Sequence, residues 1–125
     1  MLDVIEAWHT AVNARDGVAA GALCTDDVQV GGPRGAGRGR DLLVGWVGHA
    51  GVRLEPLRWF CGGTGAVVEQ DARWVDGDGL TAPVRVATAF GVDGGQISRV
   101  LRHTDLGEAL AVLGLTTDDE VTTRR

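Results

Sequence analysis

The chain has no lysine and no tyrosine, a single serine, one methionine and two cysteines among its 125 residues. Each shortage removes a kind of chemistry. All twelve basic residues are arginine, so no Schiff base forms and no pyridoxal cofactor is anchored by lysine. No phenol is present to act as a general acid. Ser98 sits in Gln96-Ile97-Ser98-Arg99-Val100, without the glycines of a nucleophile elbow, so hydrolysis through an activated serine is disfavoured. His9, His49 and His103 are scattered, with no HxH or HxxxH spacing, and neither a metal nor any other cofactor is expected. Cys24 and Cys61 are expected as reduced, buried small hydrophobes. The formal charge is −5, with acidic groups spread along the chain, which argues against a nucleic-acid partner. There is no apolar run of 18 residues, and residues 1–10 already read as helix rather than leader, so a cytoplasmic protein without membrane contact is expected. The length suits one domain, residues 1–115, and the polar residues 116–125 are expected to be a disordered tail.

What is present is patterned. Val68, Gln70, Ala72 and Trp74 alternate with Glu69, Asp71 and Arg73, the period-two signature of a strand with one buried face. Gln70 is the polar residue on the apolar side. Burying an amide unpaired costs about 1–3 kcal/mol, so Gln70 is expected to meet a partner or a ligand. Asp71 points the other way, into an expected ion pair with Arg73.

Around that strand, residues 52–103 read as a four-strand meander. Its first strand, 52–61, changes apolar parity at Pro56, which predicts a bulge or bend. The third, 83–92, puts Val84, Val86, Thr88 and Phe90 on one face. The fourth, 97–103, carries Arg102 on one face and Arg99 on the other, which places one arginine inside or at an interface. Glycine-rich turns at 62–65, 76–79 and 93–95 join the strands.

Before the meander, Leu2, Ile5, Trp8 or His9, and Val12 predict a helix over residues 2–14. Trp8 reads either as a core anchor or as a ring lining a cavity, and His9 as a rim residue. Asp16 is the expected N-cap of a short second helix ending near Leu23 or Cys24. Val28-Gln29-Val30 reads as a short strand. Residues 31–40 are too rich in glycine for regular structure and read as a loop forming the lip of a pocket; their spacing matches no phosphate cradle. Asp41 is expected to cap a third helix, 42–49, with Leu43, Trp46 and Val47 inward. Asp105 and Glu108 open a short terminal helix through residue 113.

In this order of elements the chain resembles the nuclear transport factor 2-like superfamily, and most of all its SnoaL-like polyketide cyclase and ketosteroid isomerase branch. The resemblance runs from about Val4 to Leu113. It is carried by Val12-Asn13-Ala14-Arg15-Asp16, by Asp27-Val28-Gln29-Val30-Gly31-Gly32-Pro33 and by Phe90-Gly91-Val92-Asp93-Gly94-Gly95-Gln96-Ile97. It implies an α+β fold, a cone-shaped curved mixed sheet with three N-terminal helices on its concave side (a cystatin-like α+β barrel), closed over an apolar pocket. It also implies a homodimer through the outer sheet face. At the ketosteroid isomerase positions the resemblance would put Gly32 where the base stands, and Trp8 and Thr88 where the tyrosine and aspartate of the oxyanion hole stand, so the steroid reaction is disfavoured.

Two functions follow. One is an enzyme performing isomerisation, cyclisation or dehydration on an oxygenated lipophilic molecule, with His49 or His103 as acid–base group and Arg102 or Gln70 polarising a carbonyl. The other is a non-catalytic dimeric module binding a small apolar organic ligand. In either, ligand contacts are expected from Trp8, Trp46, Trp59, Gln70, Thr88 and Phe90. Replacing Gln70 by leucine is expected to weaken binding while stability holds or rises.

Overall fold

Ile5, Trp8 and Val12 recur at helical spacing and are buried along one face of α1 (Leu2–Asn13). Arg15, at φ +57°, turns the chain, and the Asp16 carboxylate accepts from the Ala19 amide at 3.0 Å to start α2 (Gly17–Ala22). The structure, a computed structural model, describes residues 1–33 and 35–121. Helix α3 (Arg40–Ala50) starts two residues earlier than its composition predicts. Its N-cap is Gly39, at φ +115°, and Asp41 lies inside the first turn instead of capping it. The chain enters this helix through a backbone angle that glycine alone takes at little cost. Gly51, in the left-handed region, ends it.

The strands are β1 (Cys24–Gly32), β2 (Gly35–Arg38), β3 (Val52–Cys61), β4 (Gly65–Asp76), β5 (Gly79–Leu80), β6 (Val84–Asp93) and β7 (Gln96–His103). They form a mixed, curved sheet in the order β2-β1-β7-β6-β4-β3, with β5 paired only to β4. β1 runs parallel to β7 and the other pairs are antiparallel. β2 and β3 remain as edges, so the sheet is open. The expected bend at Pro56 is a register shift between Pro56 and Arg58, which restores one buried face across Val52, Leu54 and Trp59.

The glycine-rich stretch departs from expectation. It is a hairpin in which β1 pairs with β2 from Gln29 opposite Arg38 to Gly32 opposite Gly35. The backbone ladder needs no side chains, and here their absence makes room: a β-carbon on Gly37 would lie 2.5 Å from Leu42 Cδ2 in α3. β1 is also far longer than Val28-Gln29-Val30. Its register against β7 slips between Cys24 and Gln29, which scrambles the alternation that would have revealed its length.

Two apolar layers sandwich the sheet. On the concave side Ile5, Trp8, Val12, Leu43 and Val47 of the helices pack on Val68, Ala72, Val86 and Phe90. On the outer side α4 (Leu106–Val112), capped by Asp105, lays Ala109 and Leu110 on Phe60, Val67, Ala87 and Ala89. Beyond α4 the outer face is charged. Asp71 pairs with Arg85 at 2.8 Å rather than with Arg73, because β6 sets Arg85 directly opposite while Arg73 lies two residues along the same strand.

Part of the expected tail carries structure. Residues 116–121 are ordered: a 3-10 turn, Thr117–Asp119, leads to Glu120, which bridges Phe60 and binds Arg58 by two hydrogen bonds of 3.0 and 3.1 Å. The Val121 amide then donates to the Trp59 carbonyl at 2.7 Å. An edge strand with free backbone groups recruits even a polar segment. Residues 122–125, the rest of the expected disordered tail, lie outside the described residues. Cys24 is buried, whereas Cys61 is only half-buried, and both are free thiols.

Candidate functional site

The polar heart of the core is a directed chain of three side chains. His9 is not at a rim; it is 3% exposed, and its Nδ1–H donates to the Ile5 carbonyl one turn back at 2.8 Å. A carbonyl can only accept, so the proton sits on Nδ1 and Nε2 of the neutral ring must accept. The Gln70 Nε2 amide donates to it at 2.7 Å, and Gln70 Oε1 accepts the Thr88 hydroxyl at 2.8 Å. Burial pulls the His9 pKa down from 6.5 to about 4, with the Ile5 carbonyl opposing only in part. The expected need of Gln70 for a partner is therefore met inside the protein. Trp8, Trp59 and Phe90 seal the imidazole, their ring centroids 5.3, 5.8 and 5.6 Å from it.

Beside this chain, between α3, the β1–β2 hairpin and the concave face of the sheet, lies a cavity of about 800 Å³. Trp8, Trp46 and Trp74 give it aromatic walls, and Leu54, Val30 and Val100 apolar ones. Trp8 stacks on Trp46 with centroids 6.3 Å apart and planes 15° from parallel. The glycines of the hairpin form one lip. Two polar side chains reach the lining among the described residues, Thr88 and Arg102, and they are cross-strand partners on β6 and β7. The Arg102 guanidinium lies 5.8 Å from the Trp74 ring centroid. It also overlies Gly32, where an added β-carbon would come within 3.8 Å of Nε and Nη2.

Of the residues singled out from sequence, the structure brings Trp8, Trp46, Thr88 and Arg102 together at this cavity. Gln70, Trp59 and Phe90 are buried in the core next to it and do not line it. His49 is turned away: it is exposed on the last turn of α3, its Nδ1 bonded to the Gly45 carbonyl at 2.7 Å. His103 is on the outer side of the sheet, its Nδ1 3.9 Å from Glu108, where it lines a second hollow of about 240 Å³ that shares Gly31, Gly32, Pro33 and Arg102 with the first. Parity explains this, since His103 follows Arg102 by one residue and a strand alternates faces. Trp74 was missed as a wall residue, although it shares the parity of Gln70 and Val68.

Chemically the lining can stack on a flat ring, donate from a guanidinium and accept at a hydroxyl. Among the described residues it holds no carboxylate, histidine or cysteine, and no group of three or more potential ligands for a metal ion occurs. Among the described residues no helix is long and apolar enough to cross a membrane.

Residues 5–100 match the family described as the SnoaL-like domain. By sequence, no curated protein matches the chain. Among solved structures it is similar to an NTF2-like protein of unknown function from Cytophaga hutchinsonii, at 15% identity over 85% of this chain and 90% of that one, with a TM-score of 0.73. It is also similar to a putative polyketide cyclase from Sinorhizobium meliloti, at 20% identity over 80% and 93%, TM-score 0.70. A third is TerC co-crystallised with polyporic acid, at 20% identity over 91% and 95%, TM-score 0.71. At these identities the structural likeness establishes the fold, while the family match spans most of the chain. The protein accordingly belongs to the SnoaL-like domain family, with the NTF2-like α+β architecture of a curved, open sheet under three helices.

Proposed function

We propose that this protein binds a small, flat, largely apolar organic molecule bearing an acidic or carbonyl oxygen, and that binding rather than proton transfer is its task. The observation that carries this reading is the chemistry of the cavity wall: three tryptophans and one arginine, with no acid–base side chain among the described lining residues. A volume of about 800 Å³ falls within the roughly 300–1,000 Å³ usual for small-molecule sites. The aromatic walls supply apolar area, and Arg102 supplies a charge-assisted hydrogen bond. An isomerase or cyclase would need an acid–base side chain within hydrogen-bond reach of the substrate. His9, the nearest histidine, is held neutral with both ring nitrogens engaged. That one neighbour of similar fold was co-crystallised with polyporic acid supports a small organic ligand.

Pairing of two copies through the outer sheet face is part of the proposal. α4 covers one part of that face and leaves Arg53 opposite Arg73 beside Glu55 opposite Asp71. Arginines paired across strands are unfavourable alone, and an inverted second copy would set Arg53 and Arg73 against Glu55 and against Asp71, which Arg85 already holds. Sedimentation at low and high salt measures this: a dimer that weakens with salt supports it, and a monomer at all salt concentrations overturns it.

The binding reading is tested by a thermal-shift and tryptophan-fluorescence titration with 2-naphthoic acid and with 2-methylnaphthalene. The expected result is saturable quenching by the acid and, at a concentration 100 times its dissociation constant, stabilisation by about 2.7 kcal/mol. Arg102→Leu is expected to weaken the acid roughly 10- to 100-fold, the worth of a charged hydrogen bond, and the hydrocarbon much less. No saturation by either compound, or chromatographic evidence of turnover of a bound substrate, would contradict the reading.

A further inference from the structure

The direction of the buried hydrogen bonds constrains what the cavity can ask of a ligand. The Ile5 carbonyl forces the His9 proton onto Nδ1, His9 Nε2 then requires a donor, and Gln70 meets it with its amide nitrogen. Gln70 is thereby left with its carbonyl oxygen toward β6, and Thr88 spends its one hydroxyl proton there at 2.8 Å. Thr88 stands in the cavity wall, directly across the strand pair from Arg102. What its oxygen has left to offer is lone pairs alone.

Resting on the binding reading above, we infer that Thr88 is a specificity residue that selects a ligand hydrogen-bond donor, a hydroxyl or an N–H, next to the acidic or carbonyl oxygen taken by Arg102, and that His9 and Gln70 impose this polarity from behind it. The cavity then reads its ligand by two neighbouring groups of opposite sense. Thr88 accepts from the ligand and Arg102 donates to it. A ligand ether at the same place would meet only lone pairs, and an unsubstituted ring would leave the Thr88 oxygen without a donor. The ligand class is a flat hydroxy-acid or hydroxy-ketone rather than a plain aromatic acid or its methyl ether.

The experiment measures dissociation constants by tryptophan fluorescence for 2-naphthoic acid, the series of hydroxy-2-naphthoic acids and their methoxy counterparts. Native protein, Thr88→Val, Thr88→Ser and Gln70→Leu are compared. In the native protein at least one hydroxy isomer is expected to bind about five- to tenfold more tightly than its methyl ether, the worth of one neutral hydrogen bond. Thr88→Val is expected to reduce that ratio to below about twofold, and Thr88→Ser to retain it. Gln70→Leu frees the Thr88 proton to turn toward the cavity, so the ratio is expected to fall there too, although Thr88 is untouched. If 2-naphthoic acid saturates while every hydroxy compound and its ether bind within about twofold, the donor inference fails and the binding reading stands. The inference also fails if the preference survives Thr88→Val. If no compound saturates the native protein, both fall together. Thr88→Ser and Gln70→Leu keep the test decisive should Thr88→Val not fold.

Discussion

Gln70→Leu is the most informative single substitution, because sequence and structure disagree about it. Read as the lone polar residue on a buried face, Gln70 could be exchanged for leucine with stability held or raised. Read in place, it closes two buried hydrogen bonds of 2.7 and 2.8 Å, to His9 and from Thr88. Leucine fills a similar volume, so the packing change is small. The two freed groups then decide the outcome. Thr88, though only 2% exposed, borders the cavity and has that one direction in which to turn its hydroxyl. His9 Nε2 has none, since rings of Trp8, Trp59 and Phe90 enclose the imidazole within 5.3 to 5.8 Å between centroids. A buried acceptor stripped of its donor costs about 1–3 kcal/mol. For a domain of this length that corresponds to a fall in Tm of roughly 4–12 °C. Guanidinium unfolding at neutral pH, with the slope checked against the native protein, measures the change. A midpoint unchanged or raised would refute the idea that Gln70 is held by its protein partners.

Further outcomes follow from the same geometry. Above pH 6.5 the His9 imidazole is neutral in both folded and unfolded chains, and pH does not act through it. As pH falls from 6.5 to about 4 the unfolded chain takes up a proton that the folded one refuses, so stability should decline by up to about 3 kcal/mol, and His9→Gln, measured by unfolding at pH 7 and pH 5, should flatten that slope. Gly65→Ala should destabilise by more than about 2 kcal/mol in denaturant titration, because its β-carbon would collide with the backbone carbonyl of Phe90, whereas Gly37→Ala meets only the movable tip of Leu42 and should cost much less. Truncation after residue 115 should speed amide hydrogen exchange along the β3 edge near Trp59 and Phe60, since it removes the Val121 donor and the Glu120 bridge; protection equal to that of the full chain would contradict the edge-covering role.

The architecture was legible where side-chain period and backbone geometry agree. Val68, Gln70, Ala72 and Trp74 announced β4, Ile5 and Val12 announced α1, and the parity change at Pro56 announced the bulge in β3. It was illegible where the backbone alone carries the structure. Gly31, Gly32, Gly35 and Gly37 pair as a hairpin without a side chain to signal it, and the register slip in β1 conceals a nine-residue strand behind turn-like composition. The tail is illegible for a related reason: it contributes one backbone donor, one ion pair and a single apolar side chain, Val121, too few to leave an apolar pattern. At the site, residue type proved easier to read than direction. Thr88 and Arg102 face the cavity as cross-strand partners, while His103 is one residue further on and His49 one helical turn too exposed. His9 looked like a rim residue because its own position straddles the apolar face of α1; only the fold brings Gln70 to it.

The account rests on ligand seating against Trp46 and Trp74, and the four indole N–H resonances of the protein report on this directly. Titration of 15N-labelled protein with 2-naphthoic acid is predicted to shift the Trp46 and Trp74 indole signals, assigned by single Trp→Phe substitutions, and to leave that of Trp59, which lies outside the cavity lining, in place. Four unmoved signals at saturating acid, or a Trp59 signal that moves as far as the others, would contradict it.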